Sequence, residues 1–337
     1  MQYYLGLDIH SASFTLACLT KEGSLVKCLT RPTSAHELIE AVTSFKGKRS
    51  LVVEECHMAG WTLRVLKSYC DELVICDPKH NKWIYKADHA SDKSDAIKLA
   101  KLLLGGFIKA VRHAEGHKAD LRALFLHYYD LTRECSRIKF KLKAEFRMLA
   151  IKASGTGIYK ETNRLEWLGK LKDETATKIQ AEHYYQLIDN LEALRKKTMQ
   201  IITRESKKDP AYPILDGFPG IGSTLASGYL AIIDTPERFS RKNKLWSYAG
   251  FGVRHLESDG CVQTQSSKQG NRVLKWIVSE NFRGAMRTLK KNKFQRRFES
   301  LSTKGFNAKQ ARRVVCRDIL SSVRACWIKK EAYKDLI

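Results

Sequence analysis

The chain has 337 residues, 43% of them hydrophobic, enough for the cores of two or three domains and too much for a disordered chain. Sixty Lys and Arg against 36 Asp and Glu leave a formal net charge of +24, which points to a polyanionic partner, most simply nucleic acid. No apolar run approaches the ~18 residues of a membrane span, and nine scattered cysteines with no CxxC pair argue against structural zinc or a disulfide framework.

The N-terminus, MQYYLGLDIH, opens directly on a strand with no basic-then-apolar leader, so the expected location is cytoplasmic. Residues 3–7 form that strand, which ends at Asp8. Residues 13–20 make a second, turning at Lys21-Glu22-Gly23-Ser24 into a third over 25–29. Ser34 is placed to cap a helix over 35–45, with Glu37 as its capping-box partner. The apolar run SLVVEE at 50–55 predicts a buried strand ending on two glutamates. A helix follows Gly60-Trp61, and a further strand at 72–76 stops at Asp77-Pro78. Strands alternating with helices predict an α/β domain over residues 1–113.

That domain closes with residues 89–104, HASDKSDAIKLAKLLL, read as a helix with Asp92 and Asp95 in its first turn. Residues three apart share a helix face, so the two carboxylates enter the same small volume. The helix dipole alone accounts for an acidic first turn, but crowding two anions costs free energy unless a cation lies between them. Asp8 after the first strand and Glu54 or Glu55 after a later one bring the acids to four. Such an oxygen-rich set suits Mg²⁺ or Mn²⁺. Two such ions can activate a nucleophile and stabilise a leaving group on phosphorus.

The middle, residues 114–208, has a different texture. Leu121, Leu124, Tyr128, Leu131, Cys135, Ile138 and Leu142 recur at steps of three and four, and Tyr184, Leu187, Leu191, Leu194, Thr198 and Ile201 repeat the pattern. Two heptad helices predict an antiparallel hairpin or two arms of a coiled coil, used for internal packing or for oligomerisation. Arg133, Arg137, Lys139, Lys141, Lys143 and Arg147 give the first helix a basic outer face fit for a nucleic-acid track.

Residues 209–337 open on ILDGFPGIGSTLASGYLAII, in which Gly217, Gly220 and Gly222 make a tight turn between short helices. Such a turn serves a plain αα connection, or lets backbone N–H groups approach a phosphate as in a helix-hairpin-helix element; the second reading marks Gly220 and Gly222 as nucleic-acid contacts. The segment RHLESDG at 254–260 reads as a loop, and the tail as basic amphipathic helices whose Trp276, Phe282, Phe294, Phe298 and Trp327 belong to a core.

The patterns GLDIH at 6–10, VVEECHMAGW at 52–61, CDP at 76–78 and SDKSDAIKLA at 91–100 resemble the RuvC-like DEDD domain of IS110-family insertion-sequence transposases, a group that includes bridge-RNA-guided recombinases and pilin invertase. GFPGIGS, RF at 238–239, YAGFG at 248–252 and SSKQGNRVLKW at 266–276 resemble the C-terminal transposase domain of that family. The resemblance implies an RNase H/RuvC-like fold for 1–113, a coiled-coil middle and a mainly helical C-terminal domain. It places the tetrad on Asp8, Glu54, Asp92 and Asp95, with Glu55 as second choice for the glutamate and Ser91 where the family often has Thr. It makes Ser258 the serine nucleophile, ahead of Ser266 and Ser267, and makes Arg254, Lys268, Asn271 and Arg272 phosphate or scissile-site contacts. It further implies DNA as substrate, an element-encoded bridge RNA and a homodimer or homotetramer. A metal-dependent junction endonuclease using water and an inactive nucleic-acid-binding scaffold are the competing readings.

Overall fold

The computed structural model describes residues 1–78, 91–171, 174–258, 261–266 and 269–335, with 254–258 and 261–266 described by their backbone. The chain divides into two compact units, Met1–His113 and Ala114–Ile337.

The first unit carries strands β1 (Gln2–Ile9), β2 (Ser13–Leu19) and β3 (Leu25–Pro32), helix α1 (Ala35–Thr43), strand β4 (Lys48–Glu54), helix α2 (Ala59–Leu66), strand β5 (Glu72–Cys76) and helix α3 (Asp92–Leu104). Its five-stranded sheet has the order β3-β2-β1-β4-β5, antiparallel among β1, β2 and β3 and parallel among β1, β4 and β5. Alternation along the central strands makes two apolar faces. Leu5, Leu7, Leu51, Val53 and Ile75 pack on one face with Leu38 and Val42 of α1 and Leu66 of α2, whereas Val52 and Cys76 pack on the other with Leu99 of α3. The cap of α1 differs from expectation. Ser34 Oγ accepts from the Glu37 backbone N–H, but the Glu37 carboxylate turns to Arg31 at 3.1 Å, a bidentate-capable cation that outcompetes the cap's single N–H.

The second unit contains helices α4 (Gly116–Met148), α5 (Arg164–Gly169), α6 (Thr175–Ser206), α7 (Tyr212–Asp216), α8 (Ser223–Ile233) and α9 (Lys242–Tyr248), strands β6 (Val253–Ser258) and β7 (Cys261–Ser266), and helices α10 (Arg272–Ala285), α11 (Lys293–Thr303) and α12 (Ala308–Lys329). Helices α4 and α6 run antiparallel, since His117 meets Glu205, Thr132 meets Arg195 and Lys139 meets Glu192. Their far ends enclose Leu142, Phe146, Ile158, Leu171 and Tyr185. Their near ends send Leu121, Phe125 and Ile202 into the core built by α7 to α12 around Tyr229, Ile277 and Leu320.

The stripe that α6 buries is only in part the predicted one, with Thr198 buried and Tyr184 and Leu191 partly so. Ala181, Tyr185, Ile188, Thr198 and Ile202 are buried, while Leu187 and Leu194 are 44% and 50% exposed. Apolar residues come in adjacent pairs at 184–185, 187–188 and 201–202, so the sequence contains two stripes one residue apart, and α4 covers only one of them. A second correction concerns residues 254–258, which form strand rather than loop: β6 and β7 make an antiparallel pair with Ser258 opposite Cys261.

Candidate functional site

The site in the first unit begins with Gly6. A Cβ there would lie 2.1 Å from the Ala96 carbonyl oxygen and 2.5 Å from the Ala100 backbone nitrogen, so α3 can rest on β1 only because residue 6 has no side chain and residues 96 and 100 have small ones. That contact sets the height of α3 above the sheet. The helix start is set by Ser91, whose Oγ accepts from the Ser94 N–H while Ser94 Oγ accepts from the Ser91 N–H. Either Ser or Thr performs this capping, so Ser91 leaves the following acids in place.

Asp8 lies two residues beyond Gly6 on the face of the sheet that α3 covers. Because Leu7 pairs with Val53 in the parallel register, the next residues along, Asp8 and Glu54, are neighbours on that face. Glu55 turns elsewhere: its N–H donates to the Cys76 carbonyl and its carboxylate meets His113 Nε2 at 2.6 Å. A cleft of about 380 Å³ at the carboxyl ends of β1 and β4 is lined by Asp8, His10, Ser11, Glu54, Glu55 and His57, among others.

One ligand atom each from Asp8, His10 and Asp92 lies within 4.8 Å of the others. Burial holds the Asp8 carboxyl above its ordinary range; His10, 3.5 Å away, opposes that rise, and the charges of Asp92 and Asp95 add to it. Asp95 also accepts from Lys98 Nζ at 3.0 Å. Carboxylates crowded in this way with an imidazole form a donor set that a divalent cation fits, because the ion removes the repulsion that the fold has built in. A second acidic group on the described surface, His36 with Glu37 and Glu40, differs in kind: both carboxylates are already balanced by Arg31. His10 is the member of the cluster that sequence reasoning passed over. Its position two residues after a strand-end aspartate was the available signal.

In the second unit Ser258 is the last residue of β6. Gly220 has φ +75°, and a Cβ there would lie 2.1 Å from the Ala285 backbone nitrogen, so close packing against α10 by itself requires glycine at this position. Gly222, by contrast, faces open space at the start of α8. Asn271 is committed as the cap of α10: its Oδ1 accepts from the Leu274 N–H and its Nδ2 donates to Tyr248 Oη. That leaves little of the side chain for the phosphate contact expected of it. Arg272 is exposed on the first turn of α10, Arg254 is a strand residue of β6, and Lys268 and Ser267 lie outside the described residues.

Residues 5–149 match a DEDD family model described as Transposase, and residues 212–299 match the model of the Transposase IS116/IS110/IS902 family. The chain belongs to the IS110 family of transposases. No curated protein matches it. Membership makes DNA the substrate class of this transposase, and its DEDD domain points to a divalent metal requirement. The first match spans all four tetrad positions as well as His10, and the second spans the glycine turn, Ser258 and Asn271. No described helix is long and apolar enough to cross a membrane.

Proposed function

We propose that this transposase cuts and rejoins DNA strands with Asp8, Glu54, Asp92 and Asp95 as holders of Mg²⁺ or Mn²⁺ and Ser258 as the nucleophile. The observation that carries the reading is the convergence of Asp8, His10 and Asp92 at the end of a sheet whose next strand brings Glu54 to the same face. On this reading the unit has an RNase H/RuvC-like fold, for which the mixed sheet order and the acids at its parallel strand ends are the support.

A divalent ion supplies Lewis acidity to the phosphodiester and lowers the cost of deprotonating an attacking hydroxyl. The chain's own groups do the rest. The Ser258 oxygen forms a bond to phosphorus as the bond from phosphorus to the departing strand oxygen breaks, and the serine proton ends on that oxygen. The DNA end stays attached to Ser258, so the bond energy is retained for rejoining when a new strand hydroxyl attacks in the reverse sense. An element-encoded bridge RNA is the proposed guide, with the +24 chain as its electrostatic host. A homodimer or homotetramer is the proposed assembly, favoured by the apolar Leu187 and Leu194 left exposed on α6.

End-labelled DNA incubated with Mg²⁺ and resolved under denaturing conditions tests the serine. A covalent adduct is expected for the wild type and Ser267→Ala and absent for Ser258→Ala. Normal cleavage by Ser258→Ala would assign the attack to water, as in a junction endonuclease. Asp92→Asn is expected to lose cleavage by at least ~100-fold, and full activity in that variant would remove the metal site. Sequencing of co-purified RNA checks the guide: one discrete species supports it, and random cellular RNA refutes it.

A further inference from the structure

Away from the acidic cleft and from the glycine turn, the second unit holds a small pocket of about 200 Å³ lined by Gly250, Phe251, Lys275, Ser279, Lys309, Arg312 and Arg313. Its chemistry is one-sided: among the described residues that line it, four are cations, one offers a hydroxyl, and none is acidic. The arrangement follows from helical spacing. Lys275 and Ser279 are four apart on α10, and Lys309, Arg312 and Arg313 are three and four apart on α12, so each helix offers one face to the pocket. Gly250 turns the chain at the pocket wall with φ +73°, a conformation that residues with a side chain rarely adopt. Behind the wall, Arg317 Nε donates to the Phe251 carbonyl at 2.8 Å and holds the segment that follows α9.

Two observations bear on how this charge is balanced. The Arg313 Nη2 atom is buried and has no hydrogen-bond acceptor among the described residues, a condition costly enough that buried guanidinium N–H groups normally find an oxygen. The surrounding cations also disfavour one another. Arg317 is held below its ordinary value by burial and then by Arg313, against the opposing charge of Asp318, and Arg283, though paired with Glu280, by burial and then by Arg312 and Arg287. An acceptor that is anionic, tetrahedral and rich in oxygen answers both at once.

We infer that this pocket binds a phosphodiester group of a nucleic-acid strand, with Arg313 and Arg312 as fork-shaped donors and Lys275 and Lys309 as point charges. Guanidinium suits the bidentate contact and ammonium the looser one. Gly250 and Phe251 of the pocket wall lead in the chain into β6, the strand that ends at Ser258, the proposed nucleophile. This deepens the DNA-cutting reading but does not depend on which hydroxyl attacks.

Fluorescence anisotropy of the full-length chain with a labelled 20-nucleotide DNA strand, and with RNA of the same sequence, tests it across a salt series. Arg313→Gln is expected to weaken binding about tenfold at moderate salt. It should also make the slope of log K against log salt shallower by roughly 0.7 to 0.9, the loss of one phosphate contact. Because Arg313 is partly buried, Lys309→Glu serves as the second variant: Lys309 is exposed, so its loss of binding cannot be ascribed to unfolding. A loss on DNA identifies a DNA phosphate, and a loss confined to RNA identifies an RNA phosphate. Wild-type affinity and slope for both nucleic acids in both variants overturn the pocket. Binding is read in EDTA, without strand cleavage, so a wild-type chain that grips nucleic acid through the pocket but forms no Ser258 adduct with Mg²⁺ overturns the cleavage reading and leaves the pocket standing.

Discussion

Adjacent glutamates at 54 and 55 are chemically equivalent in the sequence, and strand pleat separates them. Glu54 falls on the face of Asp8, while Glu55 is engaged by His113 at 2.6 Å. Titration with Mn²⁺, followed by the loss of the free-ion electron paramagnetic resonance signal, is therefore expected to show affinity at least ~10-fold weaker for Glu54→Gln, of the size seen when a ligand or its support is removed. Glu55→Gln should stay near wild type, and the reverse result would move the ligand to Glu55. A second residue-scale expectation concerns Asp318 on α12. Burial raises its carboxyl above the ordinary value despite Arg297 at 3.4 Å, so desolvation outweighs the ion pair and the charged form is disfavoured in the folded chain. A carboxyl raised on folding destabilises above its folded value and ceases to do so as the pH falls to the unfolded value of about 4. Asp318→Asn should thus raise the melting temperature at pH 7 by at most a few degrees, with the gain shrinking to nothing near pH 4. A constant gain across that range would assign the effect to something other than charge.

Helix placement is decided by contacts that hydrophobic patterning does not record. The acids of α3 reach Asp8 because Gly6 admits the backbone at Ala96 and Ala100. Gly6→Ala must push the helix outward, which should cost about 1 to 3 kcal/mol as an overpacked contact. Mn²⁺ affinity should fall more than the stability loss implies, because the displacement is applied at Ala96, about one helical turn from Asp92. Melting and Mn²⁺ titration of one preparation check both, and unaltered metal binding would show that α3 position does not set the site. The second element-scale case is α6, whose exposed Leu187 and Leu194 contribute little to the chain's own packing. Leu187→Glu with Leu194→Glu should leave the melting temperature almost unchanged, as surface substitutions do, while sedimentation velocity should show a lower assembly state. Unchanged sedimentation would remove α6 from the interface.

At the scale of the molecule, each unit has its own core, and the acids and Ser258 lie in different units. Metal binding should therefore protect one unit and leave the other alone. Hydrogen exchange with and without millimolar Mg²⁺ is expected to slow at the ends of β1 and β4 and in the first turn of α3, with residues 114–337 unchanged. Protection spread evenly over both units would contradict a site confined to the first. The net charge of +24 belongs to this scale as well: it predicts nucleic-acid affinity that falls steeply with salt whatever the sequence bound.

Local signals carried far. The strand alternation, the cap at Ser34, the glycine turn, the two long heptad helices and the excess of cations are properties of short segments or of composition. They were legible because backbone preference and side-chain period act over a few residues. The family could be read from ordered motifs in the same way. Tertiary structure alone decided which of two adjacent stripes α6 buries, that Gly220 serves α10, that residues 253–258 and 261–266 pair as strands, and that Lys275 and Arg313 share a pocket though 38 positions apart. Each of these depends on what lies opposite a residue in space, and a linear pattern specifies which face is apolar or charged without specifying the surface that will meet it.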